Sequence, residues 1–200
     1  NLLEVCLFHR TAIEASENYI LELIDYCYRK LSGLLQGIIY CAYHFLIDSS
    51  SPKKKENKKP KTLEDFKNIT RMQEFQNQLD EIEYGLSMMC LSVIRFITDH
   101  IKSLNLYVMH HLLVETDILC LLVPLIEERP WLRKNDKGNN IKSLGIFAKQ
   151  LIKGEREVFE NQKWTVVPKE DYSKLPKLEA QVWIAIYNLF MEPECRKKYE

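Results

Sequence analysis

The chain has 200 residues, of which 46% are apolar and 28% are charged, and its 28 basic and 28 acidic residues balance to a net charge of zero. This length fits one domain with enough apolar material for a sizeable core. The charge balance excludes a whole-chain field that draws nucleic acid or a membrane surface, so any such role must be local.

The cysteines indicate free thiols in a reducing compartment. No two of them stand in a C-x-x-C spacing, and five of the six lie among apolar residues. The mostly apolar stretches 34–47 and 118–126 are shorter than the ~20 residues that span a bilayer. Because the sequence opens inside an apolar pattern at Asn1, we expect an internal piece of a longer protein, whose targeting signals cannot be read here.

The first 50 residues predict a long amphipathic helix that starts near Arg10 or Thr11. Apolar residues recur there at steps of three and four as far as Ile38, which forms a broad stripe. Gly33 and Gly37 favour a break or bend in its second half. Residues 2–8 suggest the end of an earlier helix.

Residues 48–62 have a different character. The stretch contains six lysines and two prolines and has no large apolar residue to bury, which predicts a flexible, disordered surface loop.

A second long helix is predicted for residues 70–103, with Phe75, Leu79, Ile82 and Leu86 opening its apolar stripe. The stripe is wider than a coiled-coil seam, so we expect this helix to pack inside a helical stack. Two shorter helices are expected over 106–114 and 116–128, with Thr116 as the N-cap of the second and Pro124 kinking it or ending its first turns.

Residues 129–168 form a less regular insert. Turn-forming residues fill 135–140, one helix is expected near 141–152, and the β-prone stretches 158–159 and 164–167 favour a short hairpin or an ordered loop. The chain returns to helix over 177–191, and a final short helix follows Pro193. We therefore predict one all-α domain over residues 1–200, an armadillo-like or HEAT-like stack of long and short helices carrying this insert.

The sequence contains no recognisable catalytic constellation. The neighbours His110 and His111 point about 100° apart on a helix, so they cannot easily share a metal. The acidic residues Asp80, Glu81 and Glu83 are typical of a solvated helix face, and no nucleophile elbow or phosphate-binding loop is present. We therefore predict that the chain is not an enzyme and binds no metal or cofactor.

Three tryptophans carry the remaining candidates. Trp183 lies among apolar neighbours on a helix and is predicted to be in the core. Trp131 and Trp164 lie in irregular segments, where a large aromatic side chain either fixes the loop or contacts a partner. They are the candidate protein-binding residues.

Several blocks of sequence, in order along the chain, resemble the central helical region of the family of zinc finger MYND domain-containing protein ten, also called Blu. The blocks are residues 1–4 with Phe8 and His9, 25–31, 91–99, 120–123, 130–131 and 178–189. The family's zinc finger lies at its C-terminus, and this chain has no cysteine pairs that match it. The zinc therefore cannot be assigned to these residues.

The resemblance implies a cytoplasmic factor for the preassembly of axonemal dynein arms in motile cilia. It implies docking to dynein chains, to chaperones and co-chaperones, and to other assembly factors, including a leucine-rich-repeat partner. Two alternatives stay open: a structural spacer that positions flanking domains, and a weak binder of acidic partners or nucleic acid through Lys53–Lys61.

Overall fold

The computed structural model describes residues 2–50, 71–135 and 155–199. The loop was predicted over 48–62, but residues 48–50 are the last residues of the helix Glu17–Ser50, so the prediction was wrong for them. Residues 51–62 of that loop, the predicted helix near 141–152 and the side chain of Cys41 lie outside the described residues. The helices are α1 (Leu2–Leu7), α2 (Arg10–Ala15), α3 (Glu17–Ser50), α4 (Arg71–Asp99), α5 (Leu106–His110), α6 (Ile118–Glu128), α7 (Lys177–Phe190) and α8 (Pro193–Tyr199). Short 3-10 turns cover Ile101–Ser103 and Lys169–Asp171, and a π turn covers His111–Glu115.

The protein is mostly helical, but it also contains a small three-stranded sheet, so the all-α prediction is only partly correct. Strands β1 (Leu132–Asn135), β2 (Glu155–Glu160) and β3 (Lys163–Val166) are antiparallel, with β2 in the centre. Asn161 and Gln162 alone connect β2 to β3, and both have positive φ, as in a type I′ turn. The hairpin alternative of the sequence analysis is confirmed.

The chain divides into two compact units. The first comprises Asn1–Leu35, Leu86–Arg129 and Leu175–Glu200, and the second comprises Gln36–Gly85 and Pro130–Lys174. The core of the first unit consists of aliphatic side chains at helical spacing, including Ile20, Ile24 and Leu31 on α3 and Leu91, Ile94 and Ile97 on α4. In the second unit, the buried side chains include Trp131, Val158 and Phe159.

The structure differs from the predictions in where the first helical pattern is broken and in how much of α4 is buried. Helix α3 runs unbroken through Gly33 and Gly37, and the break lies at Ser16, whose hydroxyl donates to the carbonyl of Ile13. Along α4, Phe75, Leu79 and Ile82 are exposed, so the expected burial of its whole apolar stripe was wrong for this end of the helix.

Thr116 ends one helix rather than beginning the next. Its hydroxyl donates to the carbonyls of His111 and Leu112, and Asp117 is the N-cap of α6. The N-cap prediction was wrong because a threonine hydroxyl can bond backward to the preceding turn as well as forward. Pro124 is accommodated within α6, which continues to Glu128.

Among the described residues, no single helix is long and apolar enough to cross a membrane. Leu106–Glu115 and Ile118–Glu128, which meet at 59°, reach that threshold only when they are taken together.

Candidate protein-docking surface

Helix α7 has two apolar faces, and only one of them is buried. The buried face contains Glu179, Val182, Ala185, Ile186 and Leu189. On the other face, Trp183 is 49% exposed and Tyr187 is 62% exposed, and Phe190 and Met191 follow at 41% and 48%. We call these four side chains the aromatic seam. A surface helix normally has a polar outer face, so this seam is unusual.

The prediction that Trp183 lies in the core was wrong. Residues 182 and 183 are adjacent, and consecutive positions on a helix point about 100° apart. The two residues therefore belong to different stripes of the helix, and only one of these stripes faces the core. Val182 takes the core position and is 1% exposed. The sequence signal was present, since aliphatic residues form one stripe and aromatic residues the other, but periodicity alone does not say which stripe is inside.

Polar contacts fix α7 on the first unit. The side-chain amide of Asn188 donates to Asp99 Oδ1 at 2.6 Å. The largely buried carboxylate of Glu179 lies 3.5 Å from Nη2 of Arg129. Lys102 lies at the same distance from the carboxylate of Glu192, just beyond the end of α7. The aromatic seam therefore lies on a helix whose other faces are fixed by these polar contacts.

Helix α8 is attached through Asp117. Lys198 Nζ donates to Asp117 Oδ2 at 2.9 Å and also to the carbonyl of Leu113, and the hydroxyl of Tyr199 donates to Asp117 Oδ1. The ring of Tyr199 lies 6.3 Å from that of Phe190, centroid to centroid, and therefore extends the aromatic surface.

These contacts shift the pKa values of Asp117 and Tyr199. Desolvation acts to raise the pKa of Asp117, but the hydrogen bonds from Tyr199 and Lys198 outweigh it and hold that pKa below its usual value. Desolvation, with the hydrogen bond to Asp117, raises the pKa of Tyr199 to about 12.

His110 and His111 both lie beside the carboxylate of Glu115. Buried His111 places Nε2 2.8 Å from Asp25 Oδ1 and Nδ1 2.8 Å from Glu115 Oε2, so both ring nitrogens contact carboxylates. His110 is more exposed, 3.7 Å from the other oxygen of Glu115. In the described ranges no group of three or more His, Cys, Asp or Glu side chains is arranged to hold a metal ion. His111 links α3 to the π turn.

One shallow depression includes Asp25, the residue that contacts His111, in its lining. Its volume is about 550 Å³, and its lining comes from α3 alone: Tyr19, Glu22, Leu23, Asp25, Tyr26 and Arg29. Because a single helix provides all of its lining, the depression does not enclose a ligand as a small-molecule pocket does.

The two predicted protein-binding tryptophans lie in the second unit. Trp131 is fully buried. Trp164 is half-buried, stacked on Tyr84 with 5.6 Å between ring centroids, and the Arg133 guanidinium lies 4.1 Å from its ring. Tyr84 donates its hydroxyl to the carbonyl of Pro130 at 2.7 Å, and burial raises its pKa. These contacts favour the loop-fixing role, and partner binding by Trp131 and Trp164 stays a prediction.

The five cysteines with described side chains are free thiols. Cys27, Cys90 and Cys195 are buried, whereas Cys6 and Cys120 are exposed. Cys27 and Cys90 share a hydrogen bond between α3 and α4, and this bond together with desolvation raises the pKa of Cys27.

The described part of the chain is thus a mostly helical protein with an exposed aromatic surface of the composition that protein interfaces favour. No protein-family model matches the chain, and no solved structure matches it. The chain is similar to the zinc finger MYND domain-containing protein 10 homolog of Drosophila melanogaster, with 28% identity over 198 residues. The match covers 99% of this chain and 36% of the length of the fly protein, and it confirms the predicted resemblance.

Proposed function

We propose that this chain is a non-enzymatic docking module in the cytoplasmic preassembly of axonemal dynein arms. The observation that carries the docking role is the aromatic seam, because aromatic side chains half-exposed in one row are typical of protein interfaces. The ordered similarity to the fly protein over nearly the whole chain supports the pathway.

The proposal includes partners and an architecture. The partners are dynein chains, chaperones with their co-chaperones, and other assembly factors such as a leucine-rich-repeat protein. We also propose that the helices stack in the armadillo or HEAT manner, an arrangement supported by the alternation of short and long helices with apolar faces. The seam counts against a passive spacer, for which an aromatic outer face has no use.

The test is affinity capture from ciliated-cell cytosol with three versions of the whole chain. The versions are the wild type, the double variant Trp183→Ser/Tyr187→Ser, and the control Tyr19→Ser, which alters an exposed tyrosine on α3. Quantitative mass spectrometry then compares the recovered dynein chains, chaperones and assembly factors.

We expect the wild type and the control to recover these proteins equally, and the seam variant to lose at least about tenfold, since a central aromatic anchor contributes roughly 2 kcal/mol or more. If the wild type recovers none of these proteins, the proposed pathway is wrong. If the seam variant recovers as much as the wild type, docking does not use α7.

A further inference from the structure

We propose that the aromatic seam binds an amphipathic helix of a partner protein whose apolar stripe is bordered by acidic residues. The inference rests on the proposed docking function and adds to it the chemistry of the partner. Three properties of the described residues lead to it: the shape of the seam, the charges at its ends, and the consequence of those charges for pairing with a second copy.

The seam is an apolar ridge along one side of α7. Trp183, Tyr187 and Phe190 lie at positions i, i+4 and i+7 of α7, and Met191 is the C-cap residue that follows it. Together the four positions extend over about 12 Å at ~1.5 Å per residue. Such a ridge matches the apolar stripe of another helix, since helices pack by fitting rows of side chains together at this spacing. Tyr and Trp rings also have few rotatable bonds, so ordering them on binding costs little entropy.

The exposed charges beside the ridge are mainly basic. Lys177 lies at the N-terminal end of α7, and Arg196 and Lys197 lie on α8 beyond its other end; all three are exposed, and none forms an ion pair within the described ranges. The acids Glu179 and Glu192 are buried and paired with Arg129 and Lys102, which leaves Glu194 as an exposed acid on this segment. A partner with acidic residues at its borders therefore complements this surface.

The same charges disfavour a second copy as the occupant. If two seams packed antiparallel, Lys177 of each copy would approach Arg196 and Lys197 of the other. If they packed parallel, each basic end would meet its own equivalent. Like charges at an interface oppose association, so both arrangements are less favourable than an acidic partner.

Photo-crosslinking identifies the occupant directly. The whole chain is prepared with p-benzoylphenylalanine in place of Tyr187, and a control carries it in place of Tyr19, an exposed tyrosine on α3. After irradiation in ciliated-cell cytosol, the crosslinked peptides are sequenced. We expect position 187, but not position 19, to capture an acidic segment with apolar residues at steps of three and four. A basic segment, a lipid, a peptide of this chain or no product above the control overturns the inference.

The captured segment is then synthesised and its affinity measured with charge variants of the whole chain. We expect Arg196→Glu/Lys197→Glu to weaken binding about tenfold, and a peptide with lysine in place of its bordering acids to restore it. Unchanged affinity in the double variant overturns the charge argument. The controls separate two failures: a non-acidic segment from a dynein-assembly protein refutes only this inference, whereas an acidic helix from an unrelated protein refutes only the proposed pathway.

Discussion

At the scale of single residues, Trp183 and Leu189 lie on different faces of the same helix. Trp183 is half-exposed, and Leu189 is fully buried. We expect Leu189→Ala to lower the free energy of unfolding by about 2–5 kcal/mol, because it leaves a cavity in a packed core. Trp183→Ala should cost less, about 1–2 kcal/mol, because roughly half of the indole is already exposed in the folded state.

Urea denaturation followed by far-UV circular dichroism measures both values on the same scale. A loss of about 3–5 kcal/mol for Trp183→Ala is the value that a core position predicts. Such a result would show that the indole of Trp183 is buried, and it would contradict the proposed docking surface.

Asp117 is a second residue whose contacts can be tested. Its pKa is lowered by the hydrogen bonds from Tyr199 and Lys198 against the effect of desolvation. A carboxyl group whose pKa is depressed in the folded protein contributes its full stabilisation at a pH above its pKa in the unfolded chain, which is about 3.9. That stabilisation is lost as the pH falls through the pKa of the folded protein. We expect the stability difference between wild type and Asp117→Asn to be constant from about pH 7 to 5 and to shrink below about pH 4.

Asparagine is the suitable substitute, because Asp117 has φ of 45° and asparagine tolerates this left-handed conformation. Urea denaturation at stepped pH gives the two curves. Asp80→Asn, at an exposed position on α4, serves as the control for general acid destabilisation. A difference that persists unchanged to pH 3 would show that α8 is not attached through this carboxylate.

At the scale of elements, the continuity of α3 through two glycines has a measurable consequence. Gly33 is helical, and a Cβ placed there would meet no atom within 4 Å. Alanine at such a site restricts the unfolded chain and has the higher helix propensity, so we expect Gly33→Ala to raise the free energy of unfolding by about 0.5–1 kcal/mol.

Gly85→Ala on α4 is the matched comparison. A Cβ there would lie 2.6 Å from Oε1 of Gln162, so the glutamine side chain has to move aside and the gain should be smaller. Thermal or urea denaturation measures the change in the free energy of unfolding for both variants. A loss of stability in Gly33→Ala would mean that α3 bends at this glycine after all.

Helices whose apolar residues recur at steps of three and four were predictable from sequence, and the junctions between them were not. The bounds of α4 and α7 follow the three-and-four spacing to within a few residues, because burying that stripe decides the conformation. Ser16 and Thr116 end helices through hydroxyl bonds to preceding carbonyls, whereas the same residue types more often begin helices. Strand β1 has no alternating pattern, and its pairing with β2 is a long-range contact that local spacing does not encode.

At the scale of the whole molecule, the candidate site was the least predictable feature. The sequence pointed to tryptophans in irregular segments, yet Trp131 is fully buried and Trp164 is stacked on Tyr84. The seam instead lies on a regular helix with two apolar stripes. Which stripe faces outward depends on where the other helices of the unit pack, and that is a tertiary property.

The neutral charge of the molecule is itself a balance between segments. Residues 51–61 hold six lysines and one glutamate, so the rest of the chain carries a net charge of −5. Two surfaces could therefore attract an acidic partner: this lysine-rich segment and the seam with its basic ends. Salt concentration distinguishes their contributions, because at about 0.15 M salt the Debye length is only ~8 Å and charges act mainly at short range, whereas at low salt all charges of the chain contribute.

We expect deletion of residues 51–61 to change partner capture by less than about twofold at 0.15 M salt, where local contacts at the seam dominate. At about 0.01 M salt the Debye length is ~30 Å, so the same deletion should weaken capture of an acidic partner, since the remaining chain is acidic as a whole. Titration of the crosslinked peptide against both chains at the two salt concentrations measures the effect. Loss of binding on deletion at 0.15 M salt would transfer the docking role from the seam to the lysine-rich segment.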